Sequence, residues 1–350
     1  MGIFSNNELV VGIDIGSHAV KICQLKRSSG NYSVIALGSA PLPEGAVEDG
    51  TLMEPESVSK VIAGLLKNLK IKNRKVGFSI SGYSVIVKKV NLKAMDDALL
   101  EEHIMAEAEQ YIPFDMEDVY LDYQDLKTST DRNDRTDVML VATKKEIVDE
   151  YLEMFDGLNL QPVVVDVDGF AFENSYECNF SKDENVALID IGASKMHINV
   201  LSGGVSVVAR DIIAGSGQIT EQIQNVFDLD FEEAEKLKLG ALPAEDRTAE
   251  IEDIFAATCT QWVLEVKKIL DLYAANNPDQ PLQKLILSGG GSKVAGLTEF
   301  LEKETGIEVD IFNPFTNMTS NRKKIDGDYL AAVGPEMAIA AGIALRSSAI

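Results

Sequence analysis

The feature that most constrains this chain is an echo. Leu9-Val10-Val11-Gly12-Ile13-Asp14-Ile15-Gly16-Ser17 leads into Ala19-Val20-Lys21-Ile22-Cys23-Gln24-Leu25. Far downstream, Val186-Ala187-Leu188-Ile189-Asp190-Ile191-Gly192-Ala193-Ser194 leads into Ile198-Asn199-Val200-Leu201. Each copy reads as a buried strand, a tight turn and a returning strand. Asp190 follows Asp14 at an offset of 176, about half of the 350 residues. One such hairpin is common; two that divide a chain in half predict two related α/β domains facing each other.

A tight hairpin turn aims several backbone N–H groups one way and so makes a concavity for an anion. Gly16 and Gly192 let the backbone approach a phosphate closely, and Ser17 and Ala193 extend the two turns. Opposed turns of this kind predict a clamp for a polyphosphate. Asp14 and Asp190, each near the end of a first strand, are expected to face a bound Mg²⁺ through water, because that ion dehydrates reluctantly. Lys21, on the returning strand, is expected to reach back towards the phosphates. The competing reading is two ordinary glycine turns, each Asp capping its own loop.

The charge balance makes a local clamp necessary. Lys and Arg number 32 against 56 Asp and Glu, a net charge of −24. Such a surface repels nucleic acid and anionic lipid, so a polyphosphate must be held by a specific device. At 45% hydrophobic and 25% charged residues, the composition is that of an ordinary soluble chain of about two domains. No apolar run approaches the ~18 residues of a spanning helix. Met1–Asn6 opens like a myristoylation signal, but Asn6 stands where Ser or Thr is required. Cys23, Cys178 and Cys259 form no CxxC, which points to reduced thiols and a cytoplasmic compartment.

A second group of residues suits a nucleoside. Leu285–Ser288 reads as a strand running into Gly289, Gly290 and Gly291, with a helix expected near Val294, and a flat purine and ribose can lie on such a turn. Within Ala234–Gly240, Glu235 and Lys238 share one helix face, where they can bond ribose hydroxyls or an adenine edge. Their bland alternative is a solvated ion pair. Asp166 and Asp168, at a strand end, are the candidates for a base should the protein transfer a phosphoryl group; no catalytic residue is assigned. The chain has no GxxxxGK[ST], GxSxG or HExxH motif and no Cys pair to frame a cluster.

Further elements are expected as a strand over Tyr32–Ala40, a helix over Pro55–Leu69, and strands over Val76–Ile80 and Ser84–Val90. A helix should run from Asp96-Asp97 along Leu100, Ile104, Ala108 and Ile112 to Pro113. The acidic run to Asp125 and a polar loop over Thr128–Thr136 follow, then a strand over Val138–Thr143 and a helix over Lys145–Leu158. Pro162–Asp168 reads as a strand entering a helix through Asn174, and a late helix is expected over Ala331–Leu345.

Four phrases carry a resemblance: GIDIGSHAVKICQL at 12–25, AEAEQYIPFDMEDVYLDYQ at 106–124, LIDIGASKMHINVL at 188–201 and LSGGGSKVAGLTEFL at 287–301. Together they resemble the actin/sugar-kinase/DnaK-type ATPase superfamily and, within it, the PilM family of type IV pilus assembly, which is related to FtsA. The resemblance implies an α/β actin-like ATPase fold with two facing domains and an inserted FtsA-like subdomain. The expected division is 1–90 and 151–185 for the first domain and 91–150 for the insert. Residues 186–328 should form the second domain, with its nucleoside-binding part, and 329–350 a helix returning to the first.

The implied activity is a scaffold binding ATP and Mg²⁺ with slow or absent turnover. The implied partner is the N-terminal cytoplasmic segment of a PilN-like inner-membrane protein, with pilus motor ATPases as further partners. That segment should enter a groove between the first domain and the insert, floored by Tyr111, Ile112, Pro113 and Phe114 and rimmed by Asp115, Glu117 and Asp118. The protein would then be cytoplasmic and peripheral at the inner membrane, held there by a protein partner. His18 after Ser17, and Ala193-Ser194 in the second turn, depart from the family pattern, and no FtsA-type amphipathic tail is expected. The alternatives are a small-molecule kinase and an FtsA-like cell-division filament protein, which steady phosphoryl transfer or filament formation would reveal.

Overall fold

A computed structural model describes residues 9–128, 134–181, 184–321 and 325–347. The Met1–Asn6 segment and residues 129–133 of the expected polar loop lie outside the described residues.

The first echo strand, Val11–Ile15, has all five residues buried and lies inside a six-stranded sheet. Across that sheet the order is Gln161–Val167, Lys75–Ile80, Val11–Ile15, Ala19–Ser28, Asn31–Pro41 and Thr319–Ser320. Val11–Ile15 runs parallel to Lys75–Ile80 and antiparallel to Ala19–Ser28. Continuous burial is why it reads as an unbroken apolar run rather than an alternating one.

Helix Pro55–Asn68 begins on the pre-set φ of its proline and buries Val58, Ile62, Leu65 and Leu66. Together with helix Lys145–Gly157 it packs into the core around Ile13, Ile22 and Phe78. A different cluster joins Val10 to Ala171, Phe172, Ile339 and Ile343 of helices Asp168–Glu177 and Ala338–Ala344. Ala338–Ala344 is entirely buried, and its small side chains permit very close packing. A Cβ at Gly342 would sit 1.6 Å from the Ala171 carbonyl oxygen, so no other residue fits there.

The second echo strand occupies the same place in the other domain. Its five-stranded sheet runs Val205–Ile212, Met196–Ser202, Val186–Ile191, Lys284–Ser288 and Glu308–Ile311. Helices Gly217–Phe227, Phe231–Lys238, Thr248–Asn276 and Leu297–Thr305 contribute buried side chains to its core, among them Trp262 and Tyr273. Leu188 and Ile286 of this sheet also pack with Ala171 and Phe172, which joins the two domains through apolar contact.

The insert is a three-stranded antiparallel sheet, Val85–Lys93, Arg135–Lys144 and Val119–Asp125, with helix Asp97–Glu107 against it. The Asp96 side chain caps that helix by accepting the Leu99 N–H at 2.9 Å. Leu100 and Ile104 pack on Val90, Leu92, Val138 and Leu140.

Several boundaries differ from expectation. The insert's sheet opens at Val85 and closes at Lys144, because Ile147, Val148 and Tyr151 belong to the first domain's core. The chain rejoins the first sheet at Thr319–Ser320, before residue 329, and Phe315 already packs with Leu25 and Val34. The acidic run after Pro113 contains strand Val119–Asp125, whose carboxylates Asp122 and Asp125 obscure its alternation. Strand Val205–Ile212 extends the second sheet at its edge, beyond the echo's two strands. The α-helix capped by Asp96 stops at Glu107 and continues as a single tight turn to Gln110. The late helix breaks at Gly334-Pro335, where proline supplies no N–H, into Gly327–Val333 and Ala338–Ala344.

Candidate functional site

Both hairpins close in the same way. Gly16 N–H donates to Ala19 O at 3.1 Å, and Gly192 N–H donates to Lys195 O at 2.8 Å. The register pairs Asp14 with Lys21 and, in the second hairpin, Asp190 with His197. The turns meet: Ser194 Oγ donates to Ser17 Oγ at 2.9 Å. Gly16, Ser17, Gly192 and Ala193 are thus brought together on facing tips.

Beneath the tips lies a cluster of opposed charges. Lys21 Nζ donates to Asp14 Oδ2 at 2.9 Å, a buried ion pair rather than a free ammonium reaching outward. Burial raises the Asp14 pKa, with Lys21 working against that and Asp168 adding to it. Burial opposes the charge of Lys21, but the adjoining Asp14 more than restores it and holds the ammonium above its usual value. Asp190 is pushed up to about 6 by burial, with Lys21 lowering it and the Asp14 and Asp168 carboxylates raising it. Three carboxylates therefore share one electrostatic environment, which a cation would relieve.

Sequence reasoning did not place Lys195. Its ammonium hydrogen-bonds Ser81 Oγ and lies 3.8 Å from Asp168 Oδ2. Asp168 also accepts from Ser79 Oγ at 2.6 Å and Ser81 Oγ at 2.5 Å. The signal was present in the second turn itself, but its targets lie far from it in sequence, Ser81 by 114 positions. Asp166 accepts from Val167 N–H at 2.9 Å and Asn174 Nδ2 at 3.2 Å and lies 3.7 Å from Arg346 Nε, and burial raises its pKa.

In the turn after strand Lys284–Ser288 the three glycines separate. Gly289 adopts φ +81°, and a Cβ there would sit 2.4 Å from Ile191 O; one at Gly291 would meet Ile191 Cγ2 at 2.4 Å. The fold alone accounts for both. A Cβ at Gly290 would meet nothing within 4 Å, so packing within the chain does not require a glycine there. The helix beyond starts at Leu297 rather than near Val294, after Gly296 turns left-handed at φ +80°.

Glu235 and Lys238 lie on helix Phe231–Lys238, capped by Asp230 accepting the Glu233 N–H at 2.8 Å. Lys238, 6% exposed, bonds Glu235 and donates to Thr220 Oγ1 at 2.9 Å. The pair is therefore not a solvated surface pair, and burial lowers the Lys238 pKa. Phe231, from the same helix, stacks on His18 of the first turn with centroids 5.0 Å apart. Burial lowers the pKa of His18, with Glu235, Lys238 and Lys21 among its electrostatic neighbours.

The residues fit a magnesium nucleotide in kind. Among the described residues no three His, Cys, Asp or Glu side chains are grouped to hold an ion by themselves. Asp14 and Asp190 are the residues that would hold Mg²⁺, through water, since that ion dehydrates reluctantly.

A second concavity lies on the insert. A groove of ≈ 540 Å³ is lined by Glu109, Ile112, Pro113, Phe114, Asp115, Asp118 and Lys144. Ile112 is buried with Ala108 and Ala142, and Lys144 Nζ lies over the Phe114 ring at 5.7 Å. Tyr111 is not in the lining; it packs under Lys88 Nζ at 5.6 Å. Glu117 is likewise outside, its carbonyl accepting from Lys145 Nζ at 2.6 Å. Every lining residue belongs to the insert, so the groove does not extend to the first domain as expected.

Two facing α/β domains, each with a strand–turn–strand hairpin at a shared cleft, define a protein of the actin-like ATPase fold. Solved structures of the same architecture include the ethanolamine utilization protein EutJ from Carboxydothermus hydrogenoformans (TM-score 0.57, 15% identity, 97% of this chain and 89% of that one). MreB 5 of Spiroplasma citri bound to AMPPNP also shares it (TM-score 0.53, 11% identity, 95% and 94%). A chain from a structure described as the PilM-PilN type IV pilus biogenesis complex is far more similar: TM-score 0.84 and 29% identity over 96% of this chain and 98% of that one. The profile of the type IV pilus assembly protein PilM family matches residues 12–348. The chain belongs to that family. Among the described residues no helix is long and apolar enough to cross a membrane.

Proposed function

We propose that the protein is a nucleotide-regulated scaffold of type IV pilus assembly, which binds MgATP between its domains and captures the N-terminal cytoplasmic segment of a PilN-like inner-membrane protein. The observation that carries the partner reading is the insert's groove. Its apolar floor of Ile112, Pro113 and Phe114 and carboxylates Glu109, Asp115 and Asp118 suit an apolar peptide bearing a basic residue. The 29% identical structure of a PilM-PilN complex supports that partner class. Capture of such a segment would hold the protein at the inner membrane despite its −24 charge. Pilus motor ATPases are further candidate partners.

For the nucleotide, Gly16, Ser17, Gly192 and Ala193 would hold phosphates through backbone and hydroxyl groups. Lys21 would neutralise them from behind the Asp14 pair. Gly290 offers the open face for the nucleoside, beside Glu235 and Lys238 with Gly289 and Gly291 shaping the turn. A bound Mg²⁺ would offset phosphate charge, with Asp14 and Asp190 orienting its waters. Slow or absent turnover follows from Asp168, whose carboxylate is already held by Ser79, Ser81 and Lys195 and so is poorly placed to activate a nucleophile.

Calorimetry with MgATP and with a synthetic PilN-like N-terminal peptide tests both halves. Binding of each, with phosphate release far below one per second, is expected. Absence of peptide binding removes the scaffold reading, and rapid transfer to a small acceptor would restore the kinase alternative.

A further inference from the structure

The contacts between the second domain and the root of the insert carry an inference that rests on the proposed function and concerns how its two sites communicate. Residues Ser81–Ser84 join first-domain strand Lys75–Ile80 to insert strand Val85–Lys93. Three bodies meet at this short loop. The second domain's Asp211 accepts the Gly82 N–H through Oδ2 at 2.8 Å. Its Oδ1 lies 2.5 Å from His197 Nδ1, on the neighbouring strand Met196–Ser202. From the second hairpin, Lys195 reaches Ser81 and Asp168. On the first-domain side, Tyr83 N–H is 3.4 Å from Asp49 Oδ2. On the insert's side, Val85 N–H donates to Gly82 O at 3.0 Å.

The second domain therefore grips the stem of the insert at two consecutive residues. One grip comes from the candidate phosphate hairpin itself, and the other from the edge strand Val205–Ile212 of the same sheet. We infer that Lys195 and Asp211 form a latch which transmits movement of the second domain to the insert, so that nucleotide in the cleft and peptide in the groove alter each other's affinity. The reason is geometric. Any rotation of one domain on the other must carry the Asp211 carboxylate relative to Gly82, and Gly82 lies three residues before the insert's first strand. The groove is built on that sheet, since Ile112 packs on Ala142, which pairs with Ile86. Linkage requires the coupling to be reciprocal, and a coupling of ordinary size changes affinity by about 5-fold or more.

The latch residues are positioning residues, and the test reads coupling rather than binding. Peptide affinity is measured with and without saturating MgATP, in wild type and in Asp211→Ala. The wild type should show a ratio of about 5-fold or more, and the variant a ratio near one while each ligand alone binds with little change. An unchanged ratio in the folded variant, or no ratio in the wild type, overturns the latch. Because Asp211→Ala leaves His197 without its carboxylate, a second measurement avoids the variant. Amide hydrogen exchange of 81–93 and 109–118 in the wild type should change on adding MgATP, and unchanged exchange there counts against the latch. Failure of the peptide to bind alone sinks the partner reading instead, and the exchange experiment still decides whether cleft and insert are coupled.

Discussion

The two hairpins share one backbone and differ in where they send their charge. In the first, lysine stands on the returning strand and closes on its own domain, Lys21 to Asp14. In the second, the equivalent strand position holds His197, and lysine has moved into the turn, from which Lys195 reaches across to Ser81 and Asp168. The first hairpin stores charge locally; the second uses it to bind the other domain. A repeated local structure thus carries two different jobs, and side chains one or two positions apart decide which.

The largest expected effect separates the two lysines. Lys21→Met leaves the buried Asp14 carboxylate unpaired and should cost about 3 kcal/mol in urea unfolding. Lys195→Met, which removes a longer and less buried ion pair together with a hydrogen bond to Ser81, should cost about 1 kcal/mol. Equal losses would mean that the first pair is no more an internal support than the second. The glycine turn facing both hairpins gives the next contrast. Gly291→Ala should lose about 1–3 kcal/mol of stability against Ile191, while Gly290→Ala leaves stability unchanged. Gly290→Asp should then fold normally yet weaken MgATP binding by about 1–3 kcal/mol, read by calorimetry.

The pH response sharpens the comparison further. Asp190 is raised from 3.8 to about 6, so between those values the folded state binds more protons than the unfolded. Its contribution to stability therefore falls as pH rises from about 4 to 6 and recovers on acidification. Affinity for MgATP should move the other way, weakening below about pH 6 as the carboxylate protonates. Asp190→Asn should flatten the stability trend, and a melt series that stays unchanged would show that Asp190 is not the responsible group. The smallest effect concerns the groove. Charge reversal at Asp115 and Asp118 should weaken peptide binding by about 1 kcal/mol or less each and flatten its salt dependence, whereas Glu117→Lys, outside the lining, should do less.

What the sequence revealed follows from range. The echo of Asp14 and Asp190 was visible because hairpins are local and their apolar runs unbroken. Helix Pro55–Asn68 was visible from its period and its proline. Ile112–Phe114, Asp115 and Asp118 lie within one short stretch, so their sharing one concavity was legible locally. Strand Val119–Asp125 was obscured because its outward Asp122 and terminal Asp125 resemble a solvated run. The tight packing of Gly289 and Gly291 was hidden because their packing partner, Ile191, is on another strand. Lys195–Ser81 and Asp211–Gly82 were illegible for a stronger reason: they join residues 114 and 129 positions apart, and only the approach of two finished domains creates them.

The buried helix Ala338–Ala344 has a consequence for how the molecule is made. The second domain's sheet is assembled from one continuous stretch, from Val186–Ile191 onward to Glu308–Ile311, and its core is available as soon as that stretch has been synthesised. The first domain's sheet gathers strands beginning at Val11 and ending at Thr319–Ser320, and Ala338–Ala344 then packs against it. Domains commonly mature from the N-terminus as the chain emerges. Here that order is inverted: the domain that begins the chain is the last to be sealed, by a helix translated after all the strands it covers. Until then Val10 and Cys23 lack the Ala338–Ala344 helix that covers them, and the apolar face of the first sheet stays open.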